Sequence, residues 1–173
     1  MEDAAARRLA RFGKHRVVNL LGAKKMTLSY KRVLNPIDFD EHSIKATPVA
    51  AELARYSAGK MFLLHVVPMT LEHQGLSTSV DSHRSQGAGA RTRLEEIARV
   101  HAEGTSYDLL TRLGDPTQEI LKAAKQLAAD VIVMTTHGRR GFSRVLHGSV
   151  AENVIRDAAC SVLVVRDTND FGA

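Results

Sequence analysis

Short β-branched apolar runs alternate along the chain with longer stretches in which apolar residues recur every three or four positions. The runs Val33 to Ile37, Met61 to Val67, Tyr107 to Leu113, Asp130 to Met134 and Ser161 to Arg166 read as five strands. The spacing predicts helices between them. Glu41 to Ala58 carries Ile44, Val49, Leu53 and Tyr56 with Gly59 as the stop, and Pro48 in its middle predicts a kink or a restart with Thr47 as N-cap. Ala88 to Ala102 carries Leu94, Ile97 and Val100. Asp115-Pro116-Thr117-Gln118 caps a third helix that runs to Ala128 on Ile120, Leu121, Ala124 and Leu127. The polar stretch Pro68 to Gly87 exceeds a typical connection and predicts a mobile loop over a functional edge. Strands alternating with helices specify an α/β fold, a single-domain doubly wound open parallel sheet with helices on both faces.

The segment after the fourth strand carries the candidate chemistry. Thr136-His137-Gly138-Arg139-Arg140-Gly141-Phe142-Ser143-Arg144-Val145-Leu146-His147-Gly148-Ser149 leaves the carboxyl end of a strand and leads into a helix. Ser149-Val150-Ala151-Glu152 fits a capping box, with Ser149 as N-cap, followed by the helical pattern Val150, Val154, Ile155. The first turn of such a helix offers unpaired N–H groups and a partial positive charge, and Gly148 lets an anion approach the main chain. The plainer alternative is a capped helix after a glycine loop that binds nothing. The loop is not a Walker loop, because it has no Gly-Lys-Ser/Thr ending and follows a late strand.

Three separated motifs resemble one family. His137-Gly138, nine residues, Gly148-Ser149, then Val150 to Arg156 and Cys160 to Arg166, is similar to the C-terminal signature of universal stress proteins. Tyr30-Lys31-Arg32-Val33-Leu34-Asn35-Pro36-Ile37-Asp38-Phe39-Asp40 resembles that family's first strand with its terminal aspartate, and Met61-Phe62-Leu63-Leu64-His65-Val66-Val67-Pro68 its second. The resemblance covers about Tyr30 to Arg166 and implies a five-stranded sheet of order 3-2-1-4-5. In such a sheet ligands bind beyond the carboxyl ends of the strands where the order reverses, here between strands one and four.

The resemblance implies an adenine nucleotide site. Pro36, Ile37, Val66 and Met134 would line the base pocket, and Asp38 would accept hydrogen bonds from a ribose hydroxyl or the adenine amine. Gly138, Gly148, Ser149 and Val150 would hold ribose and phosphates, with His137 at the loop's entry. For Asp38 the sequence equally allows a cap on the following turn or helix. ATP is the expected ligand, with Mg²⁺ on its phosphates and no protein metal site. One departure matters: nucleotide-binding members carry Gly-x-x-Gly, nine residues, Gly-Ser/Thr, and Thr135 stands here for the first glycine. Three functions follow: an ATP-binding stress-response regulator or sensor, a slow ATP hydrolase with His137 or Asp38 positioning water, and a nucleotide-free dimerising adaptor if Thr135 blocks the pocket. No Gly-x-Ser-x-Gly elbow exists, so a serine hydrolase is unsupported.

The net charge of +5 at first suggests nucleic acid. Seven Lys or Arg against Glu2 and Asp3 lie in residues 1–26, whereas the remainder holds 17 basic and 17 acidic residues. The surplus therefore belongs to a basic N-terminal extension, residues 1–26, expected to be poorly ordered, with Phe12 its only aromatic. A second reading takes residues 1–25 as an upstream extension from a start codon other than the main one, the family resemblance beginning four residues after Met26. The family domain is expected over 27–170, followed by a short tail at 171–173. No specific nucleic-acid partner is expected.

No apolar run approaches the roughly 18 residues of a spanning helix, so a soluble cytoplasmic protein without a membrane partner is expected. Cys160 is the only cysteine and reads as a packing residue rather than a redox one. The apolar edge strand Val162-Leu163-Val164-Val165 predicts a homodimer, since such an edge is usually covered or paired.

Overall fold

A computed structural model describes residues 29–69, 80–135 and 150–165, with 80–88 described as backbone. The elements are β1 (Arg32–Ile37), α1 (Glu41–Ile44), α2 (Ala46–Tyr56), β2 (Lys60–Pro68), α3 (Val80–His101), β3 (Tyr107–Gly114), α4 (Pro116–Gln126), β4 (Val131–Thr135), α5 (Val150–Asp157) and β5 (Ser161–Val165). All pairings are parallel and the strand order is β3-β2-β1-β4-β5. The fold class and order match the expectation, with the order reversing between β1 and β4.

Alternation along the strands divides the core. Val33, Ile37, Met61, Leu63, Val131 and Val133 face α2 and α3, while Leu34, Phe62, Leu64, Val66, Ile132 and Met134 face α4 and α5. The helices meet the sheet largely through alanine: Ala46, Ala50, Ala51 and Ala54 on α2, Ala90 and Ala98 on α3, Ala123 and Ala124 on α4 and Ala151 on α5. Of the large residues expected from periodicity, Leu94, Ile120 and Val154 are buried and Val49, Leu53, Ile97, Leu121 and Leu127 pack against the core, whereas others lie outside it. Tyr56 is 87% exposed, Val100 58% and Ile155 45%. Small side chains let helix and sheet backbones approach, so alanine shares the core face with Leu94, Ile120 and Val154 while Tyr56, Val100 and Ile155 sit outside it.

Boundaries differ at two places for local reasons. The first helix divides at Lys45, the N-cap of α2, and Thr47 lies inside α2 rather than capping it. Pro48 then occupies the first turn, where its missing N–H has no intrahelical partner to lose. The second helix begins at Val80, not Ala88, so 80–87 belong to a helix rather than to a loop. Its carboxyl half is anchored by Ala90, Leu94 and Ala98, and the helix propagates upstream through Gly87 and Gly89. At the end of α2, Ala58 takes the left-handed conformation, φ 47°, one residue before the expected stop. Gly59 N–H reaches the Ala54 carbonyl at 2.8 Å, closing the helix in a Schellman arrangement.

Candidate functional site

The site begins where β1 and β4 part. Arg32 exchanges main-chain contacts with Asp130: its carbonyl accepts the Asp130 N–H at 2.9 Å and its N–H reaches the Asp130 carboxylate at 2.8 Å. Alternation therefore directs the backbone groups of Arg32, Leu34 and Pro36 toward β4. Pro36 has no N–H to give. The ladder between β1 and β4 runs through Val33–Val131 and Leu34–Ile132 and stops, although each strand continues three residues further. The Val133 carbonyl instead accepts from the side-chain amide of Asn35, at 2.9 Å in a fully buried position. A proline in a central strand is ordinarily a fault; here it opens the sheet at the switch point.

Asp38 lies just beyond, exposed at the end of β1. Its Oδ1 accepts the Asp40 N–H at 3.0 Å, and its own N–H donates to the Ser43 hydroxyl at 3.2 Å. Asp40 is the N-cap of α1, accepting the His42 N–H at 2.9 Å. Asp38 thus builds the turn before the helix rather than capping the helix itself. Both sequence roles remain compatible, because the turn uses one of the two carboxylate oxygens.

The other expected pocket residues divide. Pro36 is buried, and Val66 and Met134 sit together in the core that faces α4 and α5. Ile37 does not join them: its side chain points to the opposite face, into the core beneath α2 and α3. From Ile37 only main-chain groups lie between the two faces. Val150 opens α5 and is exposed. Thr135, half-buried, ends β4 opposite Val165. His137, Gly138, Gly148 and Ser149 lie outside the described residues, as do Arg139, Arg140 and the rest of the loop.

Sequence reasoning missed three residues at this edge. The His65 ring stacks on Phe39 with centroids 4.0 Å apart and planes at 30°, and the Arg93 guanidinium lies over the same Phe39 ring at 4.3 Å. His65 Nδ1 sits 3.0 Å from the Ile37 carbonyl, an acceptor only, so Nδ1 carries the proton. Burial holds the imidazole below its ordinary pKa; the Ile37 carbonyl and Asp38 pull it upward and Arg93 adds to the depression. Phe39 itself has φ 65°, a left-handed backbone that costs about 1–2 kcal/mol in a residue with a Cβ. Stacking of about 0.5–1.5 kcal/mol and a cation–π contact of about 0.5–1 kcal/mol are of the size needed to offset it. The signal in the sequence was an aromatic directly after the strand-end aspartate and a histidine ending an apolar run.

At the opposite end of the sheet a cleft of about 470 Å³ lies between α4 and the start of β5, lined by Lys122, Lys125, Ala129, Asp157 and Cys160 among others. Burial raises the Cys160 thiol above its ordinary pKa, which disfavours the reactive thiolate and agrees with a packing role.

Residues 29–166 match the universal stress protein family. The chain belongs to that family. Universal stress protein MJ0577 of Methanocaldococcus jannaschii is 29% identical over 164 residues, spanning 83% of this chain and 99% of its own. The solved MJ0577 structure matches with a TM-score of 0.71 over 82% of this chain and 99% of that one. A universal stress protein in complex with cAMP shares the fold at 21% identity and TM-score 0.62, covering 80% of this chain and 98% of its own. The universal stress protein of Archaeoglobus fulgidus in complex with dAMP does so at 20% identity and TM-score 0.57, covering 81% and 100%. Among the described residues of this universal stress protein, no helix is long and apolar enough to cross a membrane.

Proposed function

We propose that this universal stress protein binds adenine nucleotide, ATP with Mg²⁺ carried on its phosphates, between the parted ends of β1 and β4. Binding would make it a nucleotide-dependent regulator or sensor in a cytoplasmic stress response, acting as a homodimer paired through β5. The observation that carries the reading is the end of the β1–β4 ladder at Leu34–Ile132, with Asp38 after the end of β1, Thr135 at the end of β4 and Val150 at the start of α5. An opening at the switch point, a carboxylate with one oxygen outside the turn and a helix N-terminus match a base, a ribose and phosphates respectively. The same-fold complexes with cAMP and dAMP support the ligand class at the level of the fold. In this reading Asp38 takes the ribose or base, Pro36, Val66 and Met134 form the apolar wall, and His137, Gly138, Gly148, Ser149 and Val150 hold the phosphate end.

Thr135 favours a second reading, a nucleotide-free dimerising adaptor. It ends β4 where nucleotide-binding members carry glycine, and its branched side chain would crowd a nucleotide at the strand end. Extraction of nucleotide from the purified protein, followed by titration of ATP, ADP and AMP, decides between them. The wild type is expected to bind, Asp38→Ala to bind at least about tenfold more weakly, and Thr135→Gly more tightly. Absence of binding by both wild type and Thr135→Gly would end the nucleotide reading and leave the adaptor.

A further inference from the structure

The residues around Asp38 are gripped from the neighbouring strand. His65 lies opposite Ile37 in the β1–β2 register, and its Nδ1–H donates to the Ile37 carbonyl at 3.0 Å. The face of the same ring lies against Phe39, with centroids 4.0 Å apart. His65 therefore holds the residue before Asp38 by its main chain and the residue after it by its side chain. Phe39 is further covered by Arg93 from α3, at 4.3 Å from the ring centroid. Asp38 lies exposed between these two held neighbours, its Oδ1 accepting the Asp40 N–H at 3.0 Å.

We propose that His65 is a positioning residue for Asp38: its contacts with Ile37 and Phe39 fix the turn so that the carboxylate faces the opening between β1 and β4. The proposal rests on the nucleotide reading for its functional consequence, but the positioning itself is a property of the unliganded chain. His65 stacks on Phe39, which packs against the core beneath α2 and α3, while Val66 and Met134 belong to the other core, so it acts through the turn at Asp38. Its two grips are chemically separable. A hydrogen-bonding side chain without a ring retains the first, and an apolar ring retains the second.

His65→Ala, His65→Asn and His65→Phe test this with two readouts. The ¹³Cγ resonance of Asp38 and the amide of Asp40, which donates to Asp38 Oδ1, report the turn without any ligand. His65→Ala is expected to shift both resonances and to weaken AMP and ATP binding about tenfold or more. The side-chain amide introduced by His65→Asn and the ring kept by His65→Phe are each expected to restore part of both effects. Unchanged Asp38 and Asp40 resonances in the folded variants would overturn the positioning role, as would wild-type affinity in His65→Ala. If the wild type binds no nucleotide, the functional reading falls while the resonances still decide the positioning. If His65→Ala fails to fold, His65→Asn and His65→Phe carry the test, and wild-type resonances in both would overturn the proposal.

Discussion

The side-chain amide of Asn35 donates to the Val133 carbonyl at 2.9 Å across the gap between β1 and β4. The bond replaces a ladder contact that Pro36 cannot make, so two adjacent residues create the opening and close its floor. Asn35→Ala would leave a buried carbonyl without a partner. A loss of about 1–3 kcal/mol is expected in denaturant unfolding, and an unchanged midpoint would mean that Val133 finds another donor.

Gly59 joins α2 to β2 against the chain that enters β1. A Cβ built there meets the Lys31 carbonyl oxygen at 2.4 Å and its Cα at 2.5 Å, both main-chain atoms. Gly59→Ala must therefore displace one strand entry or the other. Destabilisation of about 1–3 kcal/mol is expected by thermal or denaturant unfolding, whereas Gly89→Ala, with open space around its Cβ, is expected to be neutral or stabilising.

His65 makes stability depend on pH in a defined direction. Burial lowers its folded pKa from 6.5, with Arg93 reinforcing the shift and Ile37 and Asp38 opposing it. Between the two values the unfolded chain binds more protons, so stability rises with pH in that window. The contribution is complete above about pH 6.5 and is lost as the pH falls through the folded value. The wild-type unfolding midpoint should drop between about pH 7.5 and about pH 5.5 by more than that of His65→Asn. Equal drops would show that other groups carry the dependence.

Leu163 lies on the edge strand β5 and is 40% exposed. If β5 pairs with its copy, a charge at this position disrupts the apolar seam. Leu163→Lys is expected to sediment as a monomer at a micromolar concentration at which the wild type is a dimer. A monomeric wild type would count against the interface.

The α/β class, the five strands and the Asp115 cap of α4 were legible in the sequence because each depends on near neighbours. Asp115 accepts the Gln118 N–H at 2.9 Å, a contact three residues long. Helix faces were legible in part, since Leu94, Ile120 and Val154 are buried as periodicity expects. Periodicity weights large apolar residues, whereas the sheet is approached through Ala50, Ala54, Ala98 and Ala123, and Tyr56 and Val100 are left outside. Within the site, the position of Asp38 at the end of the first strand could be read directly, whereas Pro36 was named through the family resemblance. Ile37 was grouped with Val66 and Met134 through the family resemblance, and only the structure shows that its side chain enters the other core while its main chain stays at the strand end.

By itself the sequence determined an alternating α/β chain and the family motifs, with the strand-end residues Pro36 and Asp38 among them. Strand propensity, capping and turn chemistry act over a few residues and leave local traces. Only the tertiary structure decided that Asn35 would serve Val133 and that His65 would hold both Ile37 and Phe39. The bonds from Asn35 to Val133 and from His65 to Ile37 join residues 98 and 28 positions apart, and they exist because parallel pairing aligns β1 with both of its neighbours.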